Sequence, residues 1–165
     1  MRGKIDCYLP CDDLAVAEMT VSQLRTDRTI RHIFLLVRET ITDECPDGCT
    51  MLTIGHLLST DSIRTIAEAA TTDYVLLFTQ PTPVLMGQYA TERLLHVAAD
   101  SGAAMVYADH YSVENGKTVR HPVIDYQEGS IRDDFDFGSL MLIRADILRE
   151  YVSQERLPLY AFAGL

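Results

Sequence analysis

The sequence predicts an α/β fold: a mainly parallel, twisted sheet flanked by helices, with a β-hairpin in the second half. Three observations carry this expectation. Strand-like and helix-like segments alternate along the chain, as they do where helical crossovers join parallel strands. The strand segments, among them HIFLLV (32–37) and YVLLF (74–78), are almost wholly apolar, which is how strands covered on both faces read. One Asn-Gly pair, Asn115-Gly116, separates two short segments and marks a tight hairpin.

The elements follow in order. Residues 4–9 read as the first strand, closed by Pro10. Leu14, Ala17, Val21 and Leu24 then recur at helical spacing, with Asp12 or Asp13 placed as the cap. Residues 32–37 form the second strand. The loop TDECPDGC leads to a short strand over 51–54. Ser59 or Thr60 caps the next helix, whose inner face is Ile63, Ile66, Ala67 and Ala70. YVLLF is the next strand and runs into the Pro-rich stretch Thr79-Gln80-Pro81-Thr82-Pro83. A helix over 88–99 turns Leu94, Leu95 and Ala98 inward and stops at Gly102. Residues 104–107 are another buried strand, and 111–113 and 118–121 flank the Asn-Gly turn. An acidic loop over 124–136 precedes the strand SLMLI and the helix ADILREYV. The chain stops in LPLYAFAGL, an apolar segment that reads as cut rather than finished.

A chain of 165 residues suits one domain with a continuous core. With 47% apolar residues and only 9 Gly and 6 Pro, disorder is excluded. The longest apolar runs reach five or six residues, far short of the roughly 20 a membrane helix needs. The opening MRGKIDCYLP has no apolar core of a secretory signal. The expectation is a cytoplasmic protein, with membrane attachment open only through segments outside this chain. The net charge of −10, with Lys4 and Lys117 as the only lysines, repels nucleic acid, and no basic stripe offsets it.

Cys7, Cys11, Cys45 and Cys49 form two Cys-x-x-x-Cys pairs. Four thiols could approach one zinc if neighbouring strands ended near both pairs. Cys7 lies inside a strand pattern, however, where cysteine acts as a small hydrophobe. Reduced, mostly buried thiols without metal are expected.

Familiar chemistries are missing. Pro-Cys-Asp-Asp stands where a dinucleotide site would need its glycines, and no P-loop or Gly-x-Ser-x-Gly elbow occurs. His56, His96 and His121 are isolated. Asp12-Asp13 after the first strand also suits a phosphoacceptor domain, but the third Asp and the lysine that fold needs are absent. In a parallel sheet, ligands bind beyond the carboxyl ends of the strands. Those ends carry Pro10 to Asp13, residues 38–40, Thr79 to Pro83, and Asp109-His110.

The order of segments resembles a family 2 glycosyltransferase, with the Rossmann-like, A-type nucleotide-diphospho-sugar transferase fold, over nearly the whole chain. IDCYLPCDD resembles the family's opening strand, which ends in Pro-x-Tyr-Asn. HIFLLVRET resembles its second strand, which ends in Asp-Asp-Gly-Ser. SIRTIAEAATTDYVLLFTQPTPVLMGQYATERLL resembles the stretch from the family's Arg-Asn turn through the strand that ends in Asp-x-Asp and the helix beyond. AAMVYADHYSVENGKTVRHP resembles the strand and hairpin that begin the acceptor half, and DFDFGSLMLIRADIL the segment carrying Arg-Arg-x-x-Leu.

The resemblance implies a transferase moving a sugar from a nucleotide-sugar donor to a glycan or lipid-linked acceptor. Residues 1–103 would be the donor half and 104–165 the start of the acceptor half, within one domain. Pro10, Asp12, Asp13, Glu39, Arg64, Thr79 and Gln80 would line the donor. Glu39 would replace the Asp that meets the base, and Arg64 would neutralise phosphate. Thr79-Gln80-Pro81 stands where Asp-x-Asp would hold manganese or magnesium, so no metal ligand is assigned. The catalytic base is expected beyond Leu165, as in the N-terminal part of a longer enzyme, with Asp109 near the sugar or acceptor as a weak candidate. Asp133, Asp134 and Asp136 read as a solvated acidic loop. The competing reading is a degenerate member of the fold that binds sugar nucleotide or a protein partner without catalysis.

Overall fold

Short apolar strands and amphipathic helices can bury all their apolar surface only by layering, and the chain does so. The computed structural model describes residues 3–38, 44–57, 59–123 and 135–154. In chain order these form β1 (Ile5–Pro10), α1 (Leu14–Leu24), β2 (Ile30–Val37), β3 (Cys49–Thr53), α2 (Thr60–Ala69), β4 (Tyr74–Phe78), α3 (Ala90–Ser101), β5 (Met105–Val106), β6 (His110–Glu114), β7 (Lys117–His121), β8 (Leu140–Arg144) and α4 (Ala145–Val152). Glu39, Asp133, Asp134 and the apolar segment 157–165 lie outside the described residues.

Six strands make one sheet in the order β3-β2-β1-β4-β8-β5, and β6-β7 form a separate two-stranded sheet. β1 is parallel to β2 and β4, and β2 to β3. β8 is antiparallel to both its neighbours, so β5 runs in the direction of β4. The expected mainly parallel sheet with a hairpin is therefore present, with one antiparallel strand inserted.

Alternation along the strands sorts side chains into two cores. Ile5, Cys7 and Leu9 of β1, with Leu76 and Phe78 of β4, pack under Val21 and Leu24 of α1 and Leu94, Leu95 and Ala98 of α3. Tyr8, Val75 and Leu77 face the other way, onto Ile63, Ile66 and Ala67 of α2 and Leu148 of α4. Burial on both faces is why YVLLF carries no polar residue between its ends.

Element ends differ from the sequence reading by up to two residues, each for a local reason. β1 runs through Pro10, which pairs with Leu36 in the last register position; proline is tolerated where no ladder N–H is needed, and Cys11 N donates to Leu36 O (2.8 Å) instead. The third helix starts at Ala90 because Tyr89 adopts φ 60°, ψ 21° and breaks the pattern before it. It ends as expected at Gly102, with φ 67°. In the hairpin, Asn115 (φ 51°) and Gly116 (φ 76°) both take positive φ, the conformation that matches the twist of a two-residue turn.

Tyr8 shows what the double layer costs. Its ring stacks on Phe34, centroids 4.8 Å apart, and the residue is fully buried, yet its hydroxyl has no hydrogen-bond partner among the described residues. Burial first, then the charge of Asp6, pushes the hydroxyl pKa up. An orphaned buried hydroxyl opposes folding, so Tyr8→Phe is expected to raise stability by about 1 kcal/mol in urea unfolding. A loss of that size would show that the hydroxyl does have a partner.

Candidate functional site

β1, β2, β4 and β5 all end at the same edge of the sheet, which brings the ends of four loops together. The strand order reverses between β1 and β4: β2 and β3 follow on one side, β4 on the other. The switch point, where the ligand crevice of open α/β sheets lies, therefore falls between the residues after Pro10 and those after Phe78. Asp13, Thr79 and Asp109 all follow strands that end here, and Glu39 follows β2 in sequence.

Several of the sequence-predicted site residues hold local structure. Asp13 is the N-cap of α1: its Oδ1 accepts from Ala15 N (2.7 Å) and Val16 N (3.3 Å), satisfying donors that the helix start leaves open. Asp12, just after β1, is exposed and without a hydrogen-bond partner among the described residues. Thr79 N donates to Ser139 O (3.0 Å) and its Oγ1 to Gly138 O (3.0 Å), tying the end of β4 to the start of β8. Gly138 sits at φ 88° and donates to Asp136 Oδ1 (2.8 Å), so one member of the acidic loop closes that turn.

The segment that follows the Pro-rich stretch lies on α1. Val84 N donates to Thr20 Oγ1 (3.0 Å), Gln23 Nε2 to Val84 O (3.2 Å), and Met86 N to Gln23 Oε1 (3.2 Å). Gln80 is exposed beside the crevice. With the Thr79 hydroxyl engaged, one amide oxygen on Gln80 and only a carbonyl on Pro81, the donor set does not fit a divalent cation, which prefers several charged oxygens. Arg64 lies one turn into α2, half-buried and without an ion pair among the described residues. Arg38, just after β2, is exposed.

On the hairpin side, Asp109 Oδ1 accepts from Val123 N (2.9 Å) and Oδ2 from Arg120 (3.1 Å). The Val123 N–H first, then Arg120, hold its carboxyl below the usual carboxylate range, which makes it a weak proton acceptor. His110, placed at this edge by the sequence reading together with Asp109, has a partner that reading did not foresee. Its ring stacks on His121, centroids 4.8 Å apart, and Ser112 Oγ lies 2.7 Å from His121 Nε2. His110 Nδ1 is buried without a partner among the described residues, against Gly138, whose missing side chain leaves it room: a Cβ there would stand 2.9 Å away. The signal was available, because a two-residue turn at Asn115-Gly116 pairs His110 with His121 by register.

The cysteines do not gather as a zinc site requires. β2 lies between β1, which carries Cys7, and β3, which carries Cys49. All four are free: Cys7 and Cys11 buried, Cys49 half-buried, Cys45 exposed. Among the described residues no group of three metal-ligand side chains forms. Burial pushes Cys7, Cys11 and Cys49 up, keeping them as thiols.

The sheet order and its reversal between β1 and β4 define an open, mainly parallel, Rossmann-like α/β fold. Among solved structures, the chain is similar to 2-C-methyl-D-erythritol 4-phosphate cytidylyltransferase from Thermus thermophilus, with TM-score 0.51 and 15% identity over 93% of this chain and 75% of that one. It is similar to CMP:2-keto-3-deoxy-manno-octonic acid synthetase complexed with CTP, with TM-score 0.55 and 12% identity over 93% and 79%. A third is 4-diphosphocytidyl-2C-methyl-D-erythritol synthase, with TM-score 0.53 and 13% identity over 95% and 82%. At these identities the likeness is one of fold. Comparison of the sequence with protein-family models and with curated proteins gives no match. The expected fold is thus present, while the three structures named here are a cytidylyltransferase, a synthetase and a synthase rather than family 2 glycosyltransferases. Among the described residues no helix is long and apolar enough to cross a membrane.

Proposed function

We propose that the chain binds a nucleotide-sugar in the crevice between β1 and β4 and serves transfer of the sugar to a glycan or lipid-linked acceptor. One observation carries the reading: the strand order reverses between β1 and β4, which puts the residues after Pro10 and those after Phe78 on the two sides of the switch point. In this reading Pro10, Asp12 and Glu39 meet the nucleoside, Arg64 meets the diphosphate, and the hairpin carrying Asp109 and His110 faces the acceptor. Residues 1–103 then form the donor half and 104–165 belong to the acceptor half. The acceptor oxygen displaces the nucleoside diphosphate from the anomeric carbon, and the acceptor proton passes to a base. With no carboxylate cage for a cation, Arg64 carries the compensation of the diphosphate charge, for which its fork is suited.

A second reading, a binding module without catalysis, is favoured by the engagement of Asp13, Thr79 and Asp109 in local structure. Calorimetry with a uridine diphosphate sugar, with and without manganese, tests the first. The expected result is weak binding that manganese changes by less than about twofold and Arg64→Ala weakens about tenfold. Binding unchanged by Arg64→Ala would sink the phosphate role. Release of nucleoside diphosphate in the presence of acceptor separates catalysis from a binding module. CTP titrated in parallel, with pyrophosphate release as the readout, would replace glycosyl transfer by cytidylyl transfer if it turned over instead.

A further inference from the structure

The opposite edge of the sheet holds an arrangement that the proposed transfer does not use. The chain carries a net −10, yet two adjoining grooves at the starts of β1 and β4 are rimmed by basic side chains. The smaller, about 430 Å3, is lined by Lys4, Arg31 and His32. The larger, about 560 Å3, has His96, Arg144 and Arg149 on its rim and Tyr74, Leu95 and Ala99 as its apolar wall. The two meet along Thr71, Thr72 and Asp73.

The smaller groove is built rather than incidental. Asp6 on β1 is fully buried and accepts from Thr71 N (2.7 Å), Thr71 Oγ1 (3.0 Å), Thr72 N (3.1 Å) and His32 Nδ1 (2.8 Å). A carboxylate only accepts, so Nδ1 carries the hydrogen and Nε2 is the nitrogen left for a ligand. Arg31 is exposed and has no ion pair among the described residues. Lys4 Nζ donates to Arg28 O (2.8 Å), which steadies its ammonium beside the groove. Asp73 is the one carboxylate among the described residues lining this groove, set against three cationic or proton-bearing side chains. In the larger groove Asp146 is paired with Arg144 (2.5 Å), while Arg149 reaches Thr72 O only at 3.5 Å and keeps most of its fork open. Gly3 holds the wall in place: a Cβ there would stand 2.7 Å from the Tyr74 ring and force it to move.

We propose that these joined grooves bind a small phosphate monoester carried on a ring-sized apolar body. The phosphate lies among Lys4, Arg31 and His32, where an arginine fork and an oriented imidazole suit its oxygens. The body lies against Tyr74 and Leu95. The site is separate from the crevice and does not depend on the transfer reaction.

Phenyl phosphate, inorganic phosphate and phenol serve as probes in calorimetry, with the His32 ring followed by NMR. Phenyl phosphate is expected to saturate and shift the His32 ring signals, with inorganic phosphate at least about tenfold weaker because it lacks the apolar body. Phenol is expected not to bind. Arg31→Ala, at an exposed position with no ion pair among the described residues, should weaken phenyl phosphate about tenfold without altering the fold. Uridine diphosphate in excess should leave that binding unchanged. The proposal is overturned by equal affinity for the two phosphates, by an Arg31→Ala protein that binds as before, by displacement with uridine diphosphate, or by no saturation up to roughly 10 mM. If the crevice binds no nucleotide while phenyl phosphate binds as described, the transfer reading fails and this one stands.

Discussion

Asp6→Ala is expected to destabilise the protein by about 3–5 kcal/mol, enough to unfold much of it at ambient temperature, because a buried acceptor leaves its donors behind. The carboxylate is fully buried and collects four hydrogen bonds from β2 and from the loop between α2 and β4. Two of the four are backbone N–H groups, Thr71 and Thr72, which no side-chain change can remove. The loop they belong to sets where β4 begins, and β4 is the strand beside the crevice. Asp6→Asn keeps the volume and one good acceptor but turns an NH2 group toward donors, so its cost should fall between alanine and wild type. Urea unfolding monitored by circular dichroism measures both. A cost for Asp6→Ala below about 1 kcal/mol would mean the Thr71–Thr72 loop finds other partners.

Phe78→Ala is the second large effect, about 3–5 kcal/mol from lost burial and the cavity left behind. Phe78 ends β4, is fully buried, and packs with Leu9, Val37 and Leu142 in the core beneath α1 and α3. Its neighbour Thr79 holds β4 to the Gly138 turn. The same substitution should therefore loosen the end of β4, weakening the proposed nucleotide binding in whatever fraction stays folded. Phe78→Leu, which refills most of the volume, should recover more than half of the stability. A Phe78→Ala protein with near-wild-type stability would show that the two layers close over the gap.

Most of the elements were legible because their signals are local. YVLLF reads as a doubly covered strand, Asp13 and Ser59 sit where caps are needed, Asn115-Gly116 can take two positive φ values, and Gly102 can end a helix. Tyr89 was not legible as a helix boundary, since nothing in a tyrosine announces φ 60°.

The shared edge of the candidate residues was legible, their local hydrogen bonding less so. Topology put Asp13, Thr79 and Asp109 on one edge, and they are there. The chain sequence does not show that the Asp13 carboxylate is taken by Ala15 N, or that the Thr79 hydroxyl points at Gly138, a residue 59 positions away. The sequence reading placed His110 at this edge but treated His121 as isolated, although their pairing follows from the turn.

By itself, then, the sequence determined the strands, the helices, their caps and the tight turn, because each depends on residues within about a turn of one another. Only the tertiary structure decided that β8 enters antiparallel between β4 and β5, that Gln23 and Thr20 clamp the segment after the Pro-rich stretch onto α1, and that a strand aspartate becomes the buried anchor of a distant loop. Those outcomes depend on which surfaces remain uncovered once the layers have formed, and such surfaces come from residues far apart in the chain.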